Sequence, residues 1–219
     1  MARDTTAFTS ESLGACHLYA LVVNARALGA RAQEYESANA AWHKPGSWHG
    51  RKDAWGNALA VDINACEGNE LAEQRLYRSR LVPMAKSRGI AVTCGIGPAR
   101  VKGHSIGDGL HCHGDIGHYS NLGDRGICNG YRGGWECKPQ REPWAVLAFQ
   151  KLEGGLAQDD LAGPLTKKAL QRKVGVTADS VLGPVSWRAI QKRVGTTVDA
   201  TPGVKTWHAL SAWIEGGCK

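Results

Sequence analysis

Two histidines one residue apart, His111 and His113, stand in the glycine-rich stretch "GDGLHCHGDIG" (107–117), with Asp108 before them and Asp115 after. Side chains alternate along an extended strand, so His111 and His113 share one face and Cys112 takes the other. Imidazole is the commonest protein ligand for zinc and an acid–base group suited to neutral pH. Such a pair can supply one metal ligand and, beside it, a group that handles protons. A surface loop with two histidines has the same local sequence, so the pair needs partners elsewhere in the chain.

Candidate partners lie upstream in "GSWHGRKDAWGNALAVDIN" (46–64). The run "ALAVDI" predicts a short apolar strand on which Asp62 shares a face with Ala60 and Asn64. Burying a carboxylate there is costly unless something pairs with it, either a metal ion or an Arg or Lys side chain. His49 precedes this strand in a loop that can reach the same place. His49, Asp62 and His113 together make a zinc ligand set of two imidazoles and one carboxylate, with a fourth position left for water. The proton acceptor for that water is then His111, with Asp108 as the second choice.

The elements that must hold these residues follow in order. After Asp62 come a helix, "ELAEQRLYRSRLVPMAKSRG" (70–89), a strand, "IAVTC" (90–94), and then "HCHGDIG". With Ser47-Trp48-His49 and Ala60-Val61-Asp62-Ile63 ahead of them, residues 40–118 resemble the zinc peptidases of peptidoglycan. Those are the D-alanyl-D-alanine carboxypeptidases and the L-alanyl-D-glutamate endopeptidases of phage lysins. The resemblance implies an α+β domain with an antiparallel sheet and packed helices, one catalytic Zn2+, and hydrolysis of a peptide bond in the wall. Two features depart from the family pattern. The spacer between His49 and Asp62 is longer than usual, which leaves His43 of "AAWHKPG" as a substitute ligand. An acidic residue three positions before the last ligand is Asp108 if that ligand is His111, whereas His113 has Leu110 there. The "HGDIG" ending favours His113 as ligand and His111 as base. The family holds the substrate carboxylate with a basic side chain ahead of Ser-x-His; no arginine occurs between Arg31 and Arg51, so Lys44 takes that expectation. Trp48, with Trp42 and Trp55, either lines a substrate groove or packs in the core.

The last third of the chain repeats with a period of 20: "LAGPLTKKALQRKVGVTADS" (161–180), "VLGPVSWRAIQKRVGTTVDA" (181–200) and the partial copy "TPGVKTWHALSAWI" (201–214). Each unit reads as a polar turn with a glycine, an N-cap hydroxyl or nearby proline, and a short helix with an inward Ala-Leu or Ala-Ile pair. "WAVLAFQKLEGG" (144–155) supplies a further helix ahead of the first full turn, with Phe149-Gln150 in the place of Leu170-Gln171. Single units cannot bury their apolar sides, so copies must pack together, and a self-contained all-α bundle of about three helices is expected. Residues 144–214 resemble the peptidoglycan-binding repeats of bacterial and phage wall hydrolases, with core "DGxxGPxTxxALQ". Here Asp160, Ser180 and Ala200 replace the glycine after each aspartate, and a plain helical scaffold or docking bundle is the alternative. Trp187 and Trp207 occupy equivalent positions, for packing or for stacking on glycan. The Gly- and Pro-rich stretch 121–143 reads as a loop and linker. This divides the chain into a peptidase domain at 1–140 and a repeat domain at 141–219.

Composition sets the outer bounds. The chain has 219 residues, 42% of them hydrophobic, and a net charge of +7. The first 140 residues carry 16 basic and 13 acidic side chains and the rest 11 and 7, so the charge is spread. A basic chain suits a polyanionic partner, here the bacterial cell wall; no nucleic-acid motif accompanies the charge. The longest apolar run, "LGACHLYALVVNARALGA", contains Asn24 and Arg26, falls short of the ~20 residues needed to cross a bilayer, and lacks the features of an export signal. No membrane insertion and a monomer are expected. A phage endolysin made in the host cytoplasm and released to the wall through a separate membrane pore fits these features. The seven cysteines contain no Cys-x-x-Cys pair, which argues against a zinc ribbon. A non-catalytic wall-binding protein, a wall amidase and a glycosidase are the competing readings.

Overall fold

The computed structural model describes residues 13–33, 35, 53, 55–64, 77–95, 100–101, 104–105, 111–115 and 140–219. The first element is helix α1, Leu13–Ala27, whose residues from Gly14 to Ala25 are all buried. A helix apolar on every side must be enclosed on every side, and α1 is. On one side it lies against strands β1 (Arg31–Gln33) and β2 (Ala60–Asn64) and helix α2 (Val82–Ser87). On the other it meets helices α3 (Val146–Glu153) and α6 (Val204–Glu215). Its polar Asn24 is accommodated by hydrogen bonds to the repeat region, described below.

Strands β3 (Ala91–Gly95) and β6 (His111–Asp115) join β1 and β2 in a four-stranded sheet of order β1-β2-β6-β3, antiparallel at every step. The short β4 (Arg100–Val101) and β5 (His104–Ser105) pair separately. Within β2 the period-2 pattern decides the packing: Val61 and Ile63 are buried in the core and Asp62, between them, is half-buried on the other face. The helix expected over 70–89 is described from Tyr77, first as a π-helical stretch to Leu81 and then as α2, with Pro83 in the first turn, where its missing N–H costs nothing. The fold is mixed α+β.

Beyond residue 140 there are four helices rather than about three: α3, α4 (Pro164–Lys173), α5 (Pro184–Val194) and α6. The helix expected over 144–155 is α3, ahead of the three repeat helices, and its Val146–Gln150 stretch is wholly buried. The hydroxyls of Thr166, Ser186 and Thr206 do not cap these helices. The N-cap residues are Gly163, Gly183 and Gly203, with no side-chain cap bond. Instead each hydroxyl is buried in the turn between units. Gln150 Nε2 donates to Asp159 Oδ1 (2.8 Å), Leu161 O (2.9 Å) and Thr166 Oγ1 (3.2 Å). Gln171 Nε2 does the same to Asp179 Oδ1 (2.6 Å), Val181 O (3.0 Å) and Ser186 Oγ (3.0 Å). Gln191 Nε2 donates to Asp199 Oδ1 (2.7 Å) and Thr201 O (3.1 Å). The glutamine oxygens accept backbone N–H groups in return, from Asp160 (3.1 Å), Ser180 (2.8 Å) and Ala200 (2.9 Å). One amide at the end of each helix thus saturates the next turn, which is why Gln and Asp recur in register.

The apolar cluster does not close at residue 140. It runs from Leu18, Leu21 and Val22 of α1 and Val61 of β2 through Trp144 and Phe149 to Leu170, Ile190, Leu210 and Ile214. Arg88 and Asp160 form a buried ion pair across the same boundary (2.6 Å). Arg88 also donates to Glu142 O (2.9 Å) and Trp144 O (3.2 Å), and Asn24 Nδ2 donates to Asp160 Oδ1 (2.9 Å). Asn24 Oδ1 accepts the N–H of Ala148 (2.9 Å). Charges this deeply buried persist only when several hydrogen bonds accompany the pairing.

Candidate metal centre

The sheet register brings two of the sequence-identified residues together. In the antiparallel pairing of β2 with β6, Asp62 stands opposite His113. Directly opposed residues share a face and have Cβ atoms about 4.5–5.5 Å apart. A carboxylate and an imidazole at that separation can both reach one ion, given zinc–oxygen and zinc–nitrogen bonds of about 2.0–2.2 Å. This is the face turned away from Val61, Ile63 and α1. The register therefore sets a carboxylate-bearing and an imidazole-bearing position side by side on one face of the sheet.

Two strand positions from His113, on the same face, is His111, opposite Gly95 of β3. The row through the candidate ligands runs the full width of the sheet: Gln33 of β1 opposite Asp62 of β2, Asp62 opposite His113 of β6, and His113 opposite Thr93 of β3. Gln33 and Thr93 were missed in the sequence because strand order is what makes them neighbours of the site. Ala60, also on this face, is fully buried, so the face is covered at that end.

His49, the third expected ligand, lies outside the described residues, as do its substitute His43, Lys44, Trp48 and Asp108. The side chains of His111 and His113 lie outside them too. Among the described residues no group of three or more His, Cys, Asp and Glu is assembled.

Other chemistry-bearing side chains have structural surroundings. His17 is fully buried in α1, and burial, with Arg88 adding to it, lowers its pKa to about 3. Cys16 and Cys218 are free thiols pushed up to about 12 and about 11, first by burial, which favours the protonated form at neutral pH. Trp55 stacks on His208 (3.8 Å between centroids, 5° between planes), which stacks on Tyr19 (4.4 Å) and so ties α6 to α1. Trp187 and Trp207 meet edge to face at 4.8 Å, and both pack against the core. Asp53 accepts N–H bonds from Trp55 (2.9 Å) and Asn57 (2.8 Å), holding the turn before β2; burial still raises its pKa.

No described helix is long and apolar enough to cross a membrane. No protein-family profile, curated protein or solved structure matches the chain.

Proposed function

We propose that the chain is a zinc-dependent peptidoglycan peptidase whose C-terminal repeats hold it on the bacterial wall. The observation that supports this most directly is the opposition of Asp62 and His113 across two antiparallel strands, with His111 further along the same face. Asp62, His113 and His49 would hold the ion, His43 being the substitute for His49. Zinc bound there would polarise the scissile carbonyl and lower the pKa of a water molecule. His111 accepts the proton of the attacking water on an imidazole nitrogen and passes it to the leaving amine, with Asp108 as the second candidate. Lys44 pairs with a substrate carboxylate and Trp48 lines the groove. The N-terminal portion would be the peptidase domain and the helical portion the wall-binding one, as in an endolysin that reaches the wall from the host cytoplasm through a separate pore.

The test uses the full chain on purified peptidoglycan. Mass spectrometry of the products should show new peptide termini within the stem peptide or crosslink, and chelation should abolish them. Asp62→Ala and His113→Ala should each lose stoichiometric zinc. Stem peptides freed with an N-terminal L-Ala, leaving the lactyl carboxylate on the glycan, would make the chain an amidase, new reducing ends would make it a glycosidase, and metal-independent turnover would overturn the zinc reading.

A further inference from the structure

Four aromatic rings stack where the repeat helices meet the rest of the chain. Trp55 lies on His208 of α6 (3.8 Å between centroids, 5° between planes), His208 in turn on Tyr19 of α1 (4.4 Å, 20°), and Tyr19 on Tyr35 (6.0 Å, 9°). Trp55 belongs to the turn that leads into β2. Asp53 closes that turn, its N–H donating to Asn57 O (2.8 Å) and its carboxylate accepting the N–H of Trp55 and of Asn57. At the far end of the turn Ala58 N–H donates to Tyr35 O (2.6 Å). One column of rings therefore grips the segment at both ends, through Trp55 and through Tyr35. Asp62 is four residues beyond Ala58, and Leu59, Ala60 and Val61 between them are all buried. In a close-packed segment of that kind a shift of the turn is passed along the strand.

Of the four rings, His208 alone comes from the repeats. The equivalent positions of the two earlier units carry Lys168 and Arg188, so the ring is particular to the copy that meets the turn. Its Nε2 is buried and makes no hydrogen bond, so a phenyl ring in its place loses none there. We propose that His208 is a positioning residue: through it the third repeat unit holds the 53–58 turn, and with the turn the start of β2 and its Asp62. The repeats then complete the scaffold of the candidate site as well as binding the wall. The consequence for activity rests on the peptidase reading, whereas the consequence for the turn does not.

Amide hydrogen exchange of the full-length chain at neutral pH, read by NMR at Asn57 and Ala58, is the first readout. The second is turnover of a soluble stem peptide, a substrate that needs no wall binding. His208→Ala should exchange about tenfold faster at both amides, with kcat lower by about 10–100-fold. His208→Phe should restore both. Trp55→Leu should match His208→Ala, and it decides the matter if that variant does not fold. Ile190→Val, in the core at α5, controls for a general loss of stability and should raise exchange evenly along the chain. Turn amides that respond no more to His208→Ala than to Ile190→Val, or that His208→Phe fails to restore, overturn the proposal. Faster exchange at the turn with undiminished turnover overturns the positioning role. If the unsubstituted chain cleaves no stem peptide, the peptidase reading fails, and the exchange pattern alone decides whether His208 holds the turn.

Discussion

His111 and His113 differ in what stands beside them. His113 has Asp62 on one side and Thr93 on the other, whereas His111 faces Gly95. On the proposed zinc reading, the imidazole beside the carboxylate suits the ligand and the outer one the base. His111→Ala should therefore keep zinc and lose about 10²–10⁴-fold in rate. If His111→Ala releases zinc while His113→Ala retains it, the roles are exchanged and Asp108 becomes the base. Two other histidines contribute to the response to acid. His208 is held to about 4, by burial, against a weaker opposing effect of Glu215, and His17 to about 3. Both bind a proton more readily when unfolded, so stability is full above about pH 6.5 and falls as pH drops towards 4. His208→Phe keeps a ring between Trp55 and Tyr19 but cannot titrate. Its melting temperature should fall less steeply between pH 6.5 and 4 than that of the unsubstituted chain, and an equal slope would remove His208 from the account.

At the level of the element, the repeat turns keep a left-handed residue after each aspartate even though none is glycine: Asp160, Ser180 and Ala200 have φ of 61°, 71° and 68°. The left-handed region costs a side-chain-bearing residue roughly 1–2 kcal/mol, against roughly 0.5–1 kcal/mol of extra chain entropy lost by glycine. Ala200→Gly should thus be neutral to stabilising, by up to about 1 kcal/mol in denaturant unfolding. Asp160→Gly relieves the same backbone yet strands Arg88, which is fully buried, without its carboxylate. Breaking a buried pair from one side costs about 3–5 kcal/mol, so this variant should be markedly destabilised. Equal effects at the two sites would mean that the Arg88–Asp160 pair contributes little. The contrast also accounts for the departure from glycine at 160: the position carries an ion pair that the later turns lack.

For the whole molecule, the consequence of α1 lying between the sheet and the repeat helices is that neither half buries its own apolar surface alone. Tyr19 Oη donates to Glu215 (2.7 Å), and Arg26 pairs with the same carboxylate (2.6 Å). A chain cut after residue 140 should expose the α3- and α6-facing side of α1, bind a hydrophobic dye and unfold at lower temperature than the full chain. Supplying residues 141–219 in trans should reverse the dye binding. A fragment 1–140 that melts like the full chain and leaves the dye dark would show that α1 does not need the repeats.

Local pattern made several elements legible from sequence alone. The period of 20, the mostly apolar run that became α1, the alternation around Asp62 and the extended His111–Asp115 segment all follow from side-chain periodicity, which neighbouring residues set among themselves. The recurring Gln and Asp were visible too, but their hydrogen bonds, from the end of one helix to the next turn, were not. Tertiary structure alone decided that Asp62 faces His113, that Gln33 and Thr93 complete the row, and that Arg88 finds its carboxylate 72 residues away. Strand order and register depend on which apolar faces the whole chain can bury at once, and α1 settled that by demanding cover on two sides. A buried arginine reads in sequence like any surface one, because its burial is a property of the segments that close over it.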